Sequence, residues 1–342
     1  MKLISKLLKS FPGLHGFTKR KYHQLRRGKI LISCYFYDIT REIKYSGWLR
    51  DNDTDLMKIS SEMIFYYHKL EKGMCLPPPR RFFGYYAFTC VMDLVKEWET
   101  KGYSRDFPVY IATIETLRSY KAIAEGYKST SDEAAKVCAV LSEVFANKAE
   151  NNAFSTPIPQ RSSDVDLSAM KSLALSRRSV RHYSEKEVAD HELSNAVEIA
   201  MLSPSACNRQ PCRVHFFKDK DMIKELLKFQ NGNRGFSDNI PVLAIITSDQ
   251  KAFFDSTERI EPIFDGGLFT MSLLYGLTSQ GISSCCLNWC VDPKTDKKCR
   301  GKLNISPTEK ILTFIAVGYS ATDAVVPLSG RRPINEVYTI NG

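Results

Sequence analysis

Ser176-Arg177-Arg178-Ser179-Val180-Arg181-His182-Tyr183 lies just past the middle of a 342-residue chain and closes a short run of helical spacing. Residues 177–181 put three guanidinium groups and a hydroxyl side by side. Such a set suits a phosphate or another oxyanion, because the planar guanidinium binds paired oxygens. A solvated basic loop would have the same composition, so the surrounding chain must decide between the two.

The chain is long enough for two domains with separate cores, and its 43% hydrophobic and 25% charged residues are ordinary for a globular protein. No apolar run reaches the roughly 18 residues of a membrane span. Lys6 and Lys9 interrupt the apolar region that a secretion signal would need, so a cytoplasmic location is expected. Ten scattered cysteines without such a signal read as reduced thiols. The tightest group, Cys285, Cys286, Cys290 and Cys299, matches no zinc-ribbon spacing, and no metal is expected. The net charge of +10 is localised: residues 1–50 hold twelve Lys or Arg against Asp38 and Glu42, and the remainder is balanced. That is not the uniformly basic surface of many nucleic-acid binders, and no nucleic-acid partner is expected.

Along the chain, Leu3, Ile4, Leu7, Leu8 and Phe11 share one helical face, with lysines opposite, until Pro12-Gly13 stops the run. This pattern fits a membrane-surface helix or a terminal helix docked on its own domain, and residues 1–30 are the candidate for a peripheral membrane contact. Residues 54–73, 85–100, 107–125 and 131–149 read as helices of a small bundle, the first ending at Gly73 as a C-cap. His68 and Glu71 stand one turn apart there, as an acid/base pair, a partial metal site or a helix-end ion pair. Residues 151–164 are polar, proline-interrupted and aperiodic, which divides the chain into a helical region 1–150, a linker, and a second domain 165–342. In that domain a helix over residues 191–202 ends in Ser203-Pro204-Ser205-Ala206-Cys207-Asn208-Arg209-Gln210-Pro211. This loop presents amides and hydroxyls to something polar, and a strand follows over 213–218.

The order Arg-Arg-Ser-Val-Arg, then Ser-Pro-Ser-Ala-Cys-Asn-Arg-Gln-Pro and a strand, resembles the FMN-binding signature of the nitroreductase family. Downstream, the buried strand at residues 239–246, the apolar helix opened by Asp265-Gly266-Gly267, residues 283–289, a strand over 310–318 and Gly330-Arg331-Arg332-Pro333 follow the same family order. Residues 1–150 fall outside the resemblance, although some nitroreductase-like proteins carry a helical extension with a similar His-x-x-Glu-Lys-Gly element.

The resemblance implies an α+β fold, a mixed central sheet flanked by helices, preceded by a mainly helical region. It implies a homodimer built through residues 267–277, with FMN at the interface; residues 335–340, with their alternating β-formers, are a candidate to add a strand to a sheet, the chain's own or the partner's. Arg177, Arg181, Arg331 and Arg332 would hold the phosphate, and Arg178 and Ser179 the ribityl chain or ring edge. Pro204, Ser205, Ala206, Asn208 and Gln210 would come from the neighbouring subunit. Asn231, Asn233 or Arg234 would serve the pyrimidine edge, and a main-chain N–H near Leu287 or Asn288 would face the flavin N5. NADH or NADPH would reduce the flavin and a small electron acceptor reoxidise it in a ping-pong cycle, with no catalytic side chain needed. His68 and Glu71 are candidates to line the substrate pocket. Two departures stand out: Cys212 replaces an aromatic residue common in the family, and Cys285 and Cys286 put thiols beside the expected flavin. The alternative is a nitroreductase-fold binding or scaffold protein without turnover, its basic N-terminal arm contacting a membrane or an acidic polymer.

Overall fold

A computed structural model describes residues 12–47, 55–76, 81–145 and 166–341; the apolar face of residues 3–11 lies outside them. Pro12 starts a helix where the sequence reading has it stop one: α1 (Pro12–Tyr45) runs for 34 residues. Proline is suited to a first helical turn, since its missing N–H would be unpaired there anyway. The carboxyl-terminal end of α1 is fastened by Arg41, which donates to Gln250 Oε1 (3.1 Å) and to the carbonyls of Pro307 (3.0 Å) and Glu309 (3.2 Å).

The bundle consists of α2 (Leu56–Cys75), α3 (Tyr85–Thr100), α4 (Pro108–Glu125) and α5 (Asp132–Val144). Asp55 caps α2 by accepting from Met57 N, and Ser131 caps α5 by accepting from Ala134 N. Gly73, expected as the C-cap of α2, lies inside the helix, where a Cβ would come within 2.1 Å of the Phe83 ring. Close packing, and not a left-handed turn, demands glycine there. Met63, Leu70, Val91, Trp98, Leu117, Tyr120, Val137 and Leu141 form the fully buried centre.

The second half carries α6 (Leu167–Ser176), α7 (Asp190–Met201), β1 (Cys212–Phe217), α8 (Lys220–Leu227), β2 (Val242–Asp249), α9 (Glu261–Ser279), β3 (Ser283–Asn288), α10 (Pro293–Arg300) and β4 (Glu309–Gly318). The strands lie in the order β1-β2-β4-β3, and every neighbouring pair is antiparallel. The parallel component of the expected mixed sheet is confined to a bridge between Ser179 and Ser284. On one face Val242, Ala244 and Ile246 meet α7 and α9 through Leu193, Ala196, Phe269 and Leu273. On the other, Leu243, Ile245 and Phe314 meet Leu226 of α8 and Leu287. Burial on both faces explains why β2 reads as an unbroken apolar run.

Residues 335–340 pair with no strand among the described residues; they begin within a 3-10 turn at Ile334–Glu336 and are exposed. No helix among the described residues is long and apolar enough to cross a membrane.

The α7–α9 contact sets the spacing of the layers. A Cβ on Gly276 of α9 would sit 2.8 Å from Ala196 Cα and 3.0 Å from its carbonyl oxygen. Gly276→Ala is therefore expected to cost roughly 1–3 kcal/mol in urea unfolding, as overpacking of a helix interface does. A variant as stable as the parent would show that the two helices separate freely.

Candidate cofactor site

The arginine-rich stretch is held as an extra ladder on the open edge of β3. Helix α6 ends at Ser176 and the backbone turns extended at Arg177. Ser179 bridges Ser284, and Val180 N donates to Ser284 O at 3.0 Å. Tyr183 Oη donates to Val180 O (2.8 Å) and Ala316 O (3.2 Å), and Ser184 N donates to Tyr319 O. Val180 and Tyr183 are buried, and Arg181 and His182 between them are exposed. Cys285 lies beneath Arg177, Ser179 and Arg181. Burial raises its thiol above the usual range, against the lowering effect of Arg181, Ser179 and Arg177, so it stays a protonated core side chain. Because Ser284 directs its carbonyl outward to Val180, Cys286 and Asn288 also direct main-chain groups to the open edge, and Leu287 bonds inward to β4.

The loop over residues 203–211 is built differently. Cys207, Asn208 and Gln210 have φ of 50°, 57° and 53°, a left-handed backbone that costs non-glycine residues energy and needs outside support. Ser205 Oγ accepts from Gln210 N (3.0 Å), and Ala206 N donates to both Asp265 oxygens (3.2 and 3.1 Å). Arg209, 2% exposed, gives the strongest support. Its guanidinium donates to Ala206 O (2.9 Å), Ala252 O (2.8 Å) and the Glu258 carboxylate (3.1 Å). It also lies against the rings of Phe253, Phe254 and Phe65, the last from α2 of the bundle. Phe65 stacks edge-on against Phe254 at 4.9 Å. Pro204, Asn208 and Gln210 face solvent, beside a cleft of about 400 Å³ bordered by Met201, Ser205, Arg213 and Asp265. Cys212, at the position of the expected aromatic, is pushed up to about 12 by burial and remains a thiol.

The remaining candidates are not gathered there. Asn233 is buried and donates its amide to Leu227 O (2.8 Å) and Gln230 O (2.9 Å), so both its hydrogens serve the loop after α8. Gln230, which the sequence reading missed, joins that loop to β3 by donating to Asn288 O (2.8 Å). Arg331 bonds Ser329 O and Arg332 pairs with Glu336, both within the exposed tail. His68 pairs with Glu71 (2.9 Å), which also accepts from Thr116 of α4, placing that pair on the bundle side of α2. The residues by which α2 reaches the second half are Asp55, Met57 and Phe65.

Strand register separates the Arg177–Tyr183 stretch from the loop over residues 203–211. Ser284, where Ser179 docks, aligns through Val317 with Val242, whereas Cys212, at the end of the loop, aligns with Ser248 and then Lys310. The two segments thus occupy opposite edges and opposite ends of the sheet, roughly 25 Å apart by strand spacing and rise.

Residues 174–232 match the family model described as Nitroreductase family. They contain both the Arg-Arg-Ser-Val-Arg stretch and the loop. This part of the chain is similar to the nitroreductase family. Over 50 residues the chain is 38% identical to a protein of Archaeoglobus fulgidus named as an NADH dehydrogenase/NAD(P)H nitroreductase. That match covers 15% of this chain and 29% of the relative, so the chain spans less than a third of that protein's length. Among solved structures, a nitroreductase family protein from Streptococcus pneumoniae is 23% identical with a TM-score of 0.43, covering 50% of this chain and 100% of that one. An FMN-dependent nitroreductase from Clostridium difficile is 20% identical with a TM-score of 0.41, covering 48% of this chain and 96% of that one.

Asp265, the carboxylate behind the loop over residues 203–211, has its pKa pushed up to about 6 by burial, against the lowering effect of the Ala206 N–H. The folded protein holds this proton more tightly than the unfolded chain, whose carboxyl titrates near 3.8. The stability from this group is fully present below about pH 4 and is lost, by about 3 kcal/mol at most, as pH rises through 6. Asp265→Asn removes that dependence, so the difference in urea midpoint between variant and parent should change across pH 4 to 6. Parallel profiles would show that Asp265 titrates as an ordinary exposed carboxylate.

Proposed function

We propose that this chain is an FMN-dependent oxidoreductase that takes hydride from NADH or NADPH and passes it to a small-molecule electron acceptor, working as a homodimer with the flavin between subunits. The observation that carries the reading is the diagonal placement of the two ligand-facing segments. One offers cations and the other hydroxyl and amide groups, the two chemistries a dianionic phosphate and a polar flavin require, yet one chain keeps them too far apart to serve one ligand group. A two-fold related copy brings the Arg177–Arg181 edge of one subunit opposite the loop of the other, because an isologous interface exchanges unlike segments in pairs.

The donor set fits the cofactor. Arg177, Arg178 and Arg181 carry planar guanidinium groups that reach a phosphate bidentately. Ser179, Ser205, Asn208 and Gln210 supply neutral partners for ribityl hydroxyls and ring carbonyls. Cys286 and Asn288 have main-chain groups directed to the open edge of β3, and Gln230 holds that strand end in place through the Asn288 carbonyl. When bound, FMN supplies the capacity to accept and donate hydride. The residues of the chain bind and orient it and keep the ring away from bulk water. Arg331 and Arg332 sit on a tail that touches little of its own chain, and the reading assigns them to the partner's phosphate. The surfaces for dimerisation are the exposed Ile260, Ile263 and Phe264 of α9, Met201 and Leu202 at the end of α7, and α6, which buries none of its residues.

The purified protein is expected to be yellow, with flavin absorbance that bleaches on adding NADH or NADPH. Arg177→Ala/Arg181→Ala should weaken FMN binding at least about a hundredfold, since each charged hydrogen-bonding pair is worth about 1.5–3 kcal/mol. Colourless protein that takes up no added FMN would overturn the reading. Subunit mixing tests the shared site: a chain with Arg177→Glu/Arg181→Glu and a chain with Ser205→Arg/Asn208→Arg, each flavin-free alone, should regain flavin when co-expressed. Failure of the mixture, with each parent dimeric and folded, would place both segments around separate ligands.

A further inference from the structure

Helix α1 has a fixed rotation on the body of the protein. Tyr37 Oη donates to Asp296 at 2.7 Å and Arg41 to Gln250, Pro307 and Glu309, so the face carrying Tyr37 and Arg41 points inward. At 100° per residue, Leu25, Ile32, Phe36, Ile39 and Ile43 fall on roughly the opposite face. These five side chains are 51–70% exposed, with Tyr22 and Tyr35 exposed beside them. They form one apolar stripe about 27 Å long by helical rise, far more than the scattered apolar residues of an ordinary surface.

The charges around the stripe indicate what covers it. Lys29 falls within it, and the exposed Arg26 and Lys44 lie on the flank between it and the docked face. The acids of residues 20–45 are Asp38 and Glu42 alone, and Glu42 is turned to the body, accepting from Gln250 Nε2 (2.8 Å) and Ser46 Oγ (3.0 Å). Two copies meeting along this stripe would press the same cations together. An anionic surface would complement them. A helix with large apolar side chains outward and cations at its rim, docked by its other face, is arranged to lie in the plane of a membrane interface, and no described helix is built to cross one.

We propose that α1 is a membrane-surface platform that seats this protein on anionic lipid bilayers through Leu25, Ile32, Phe36, Ile39 and Ile43. The inference is independent of the flavin reading, since the stripe faces away from the body that carries the proposed cofactor site. It also moves the contact from residues 1–30 to a longer face running to Ile43.

The test is co-sedimentation of the full chain with phosphatidylcholine vesicles, with or without phosphatidylserine. The protein should pellet with the phosphatidylserine vesicles and be released by raised salt. Ile32→Asp/Phe36→Asp should lower partitioning at least about tenfold, as loss of two apolar insertions does. Arg26→Glu/Lys29→Glu should lower it while leaving the helical circular dichroism unchanged. Because the substituted side chains are exposed, folding is preserved and a loss of binding reports on the membrane. No binding to phosphatidylserine vesicles, or equal pelleting of Ile32→Asp/Phe36→Asp and parent, overturns the proposal. So does sedimentation velocity showing that this variant dissociates an oligomer of the parent, which would assign the stripe to a second copy.

Discussion

A guanidinium removed from water must be surrounded by acceptors, and the site depends on how that requirement is met at Arg209. Leaving such a charge unpaired costs about 3–5 kcal/mol. Here the acceptors come from Ala206 in its own loop, Ala252 after β2, and Glu258, which also accepts from the Phe254 and Asp255 amides. The aromatic wall comes from Phe253, Phe254 and, across from the bundle, Phe65. The left-handed residues of the loop are thereby fixed by segments distant in sequence. The helical region is part of the frame on which the loop is mounted.

Much of the second half was legible because its elements obey local rules. The four strands and helices α7 and α9 fall within a few residues of their expected limits, since runs such as Val242–Ile246 are apolar on both faces, whereas the short, polar α8 and α10 gave no such signal. What stayed hidden depends on partners. Nothing in the sequence near Arg209 distinguishes a buried structural guanidinium from a ligand-binding one, because Glu258 and Phe65 are far away along the chain. Asn233 likewise looks like a free amide until Gln230 and Leu227 are seen to consume it. The tail at residues 335–340 alternates like a strand, yet within this chain it pairs with no strand among the described residues. Helix α1 was missed because Pro12-Gly13 reads as a stop, whereas proline is equally at home in a first turn.

The sheet imposes a division of labour between its edges. Beside β3, the Arg177–Tyr183 segment covers groups that would otherwise invite non-specific strand pairing. Beside β1 lies the loop that leads into it, an irregular segment with a 3-10 turn at Ala206–Asn208. The first edge is therefore cationic and regular and the second irregular and neutral. Their placement at opposite corners follows from the order β1-β2-β4-β3, not from any property of the segments themselves.

The fastening of α1 also has a consequence for the growing chain. The carbonyls that accept from Arg41 belong to Pro307 and Glu309, 266 and 268 residues later. At the usual pace of synthesis, about 5–20 residues per second, the helix leaves the ribosome roughly ten to fifty seconds before its seat exists. During that interval both its apolar stripe and its future docking face are bare. The helix is made long before it can be secured, and until then it is open to capture by whatever surface the ribosome is near.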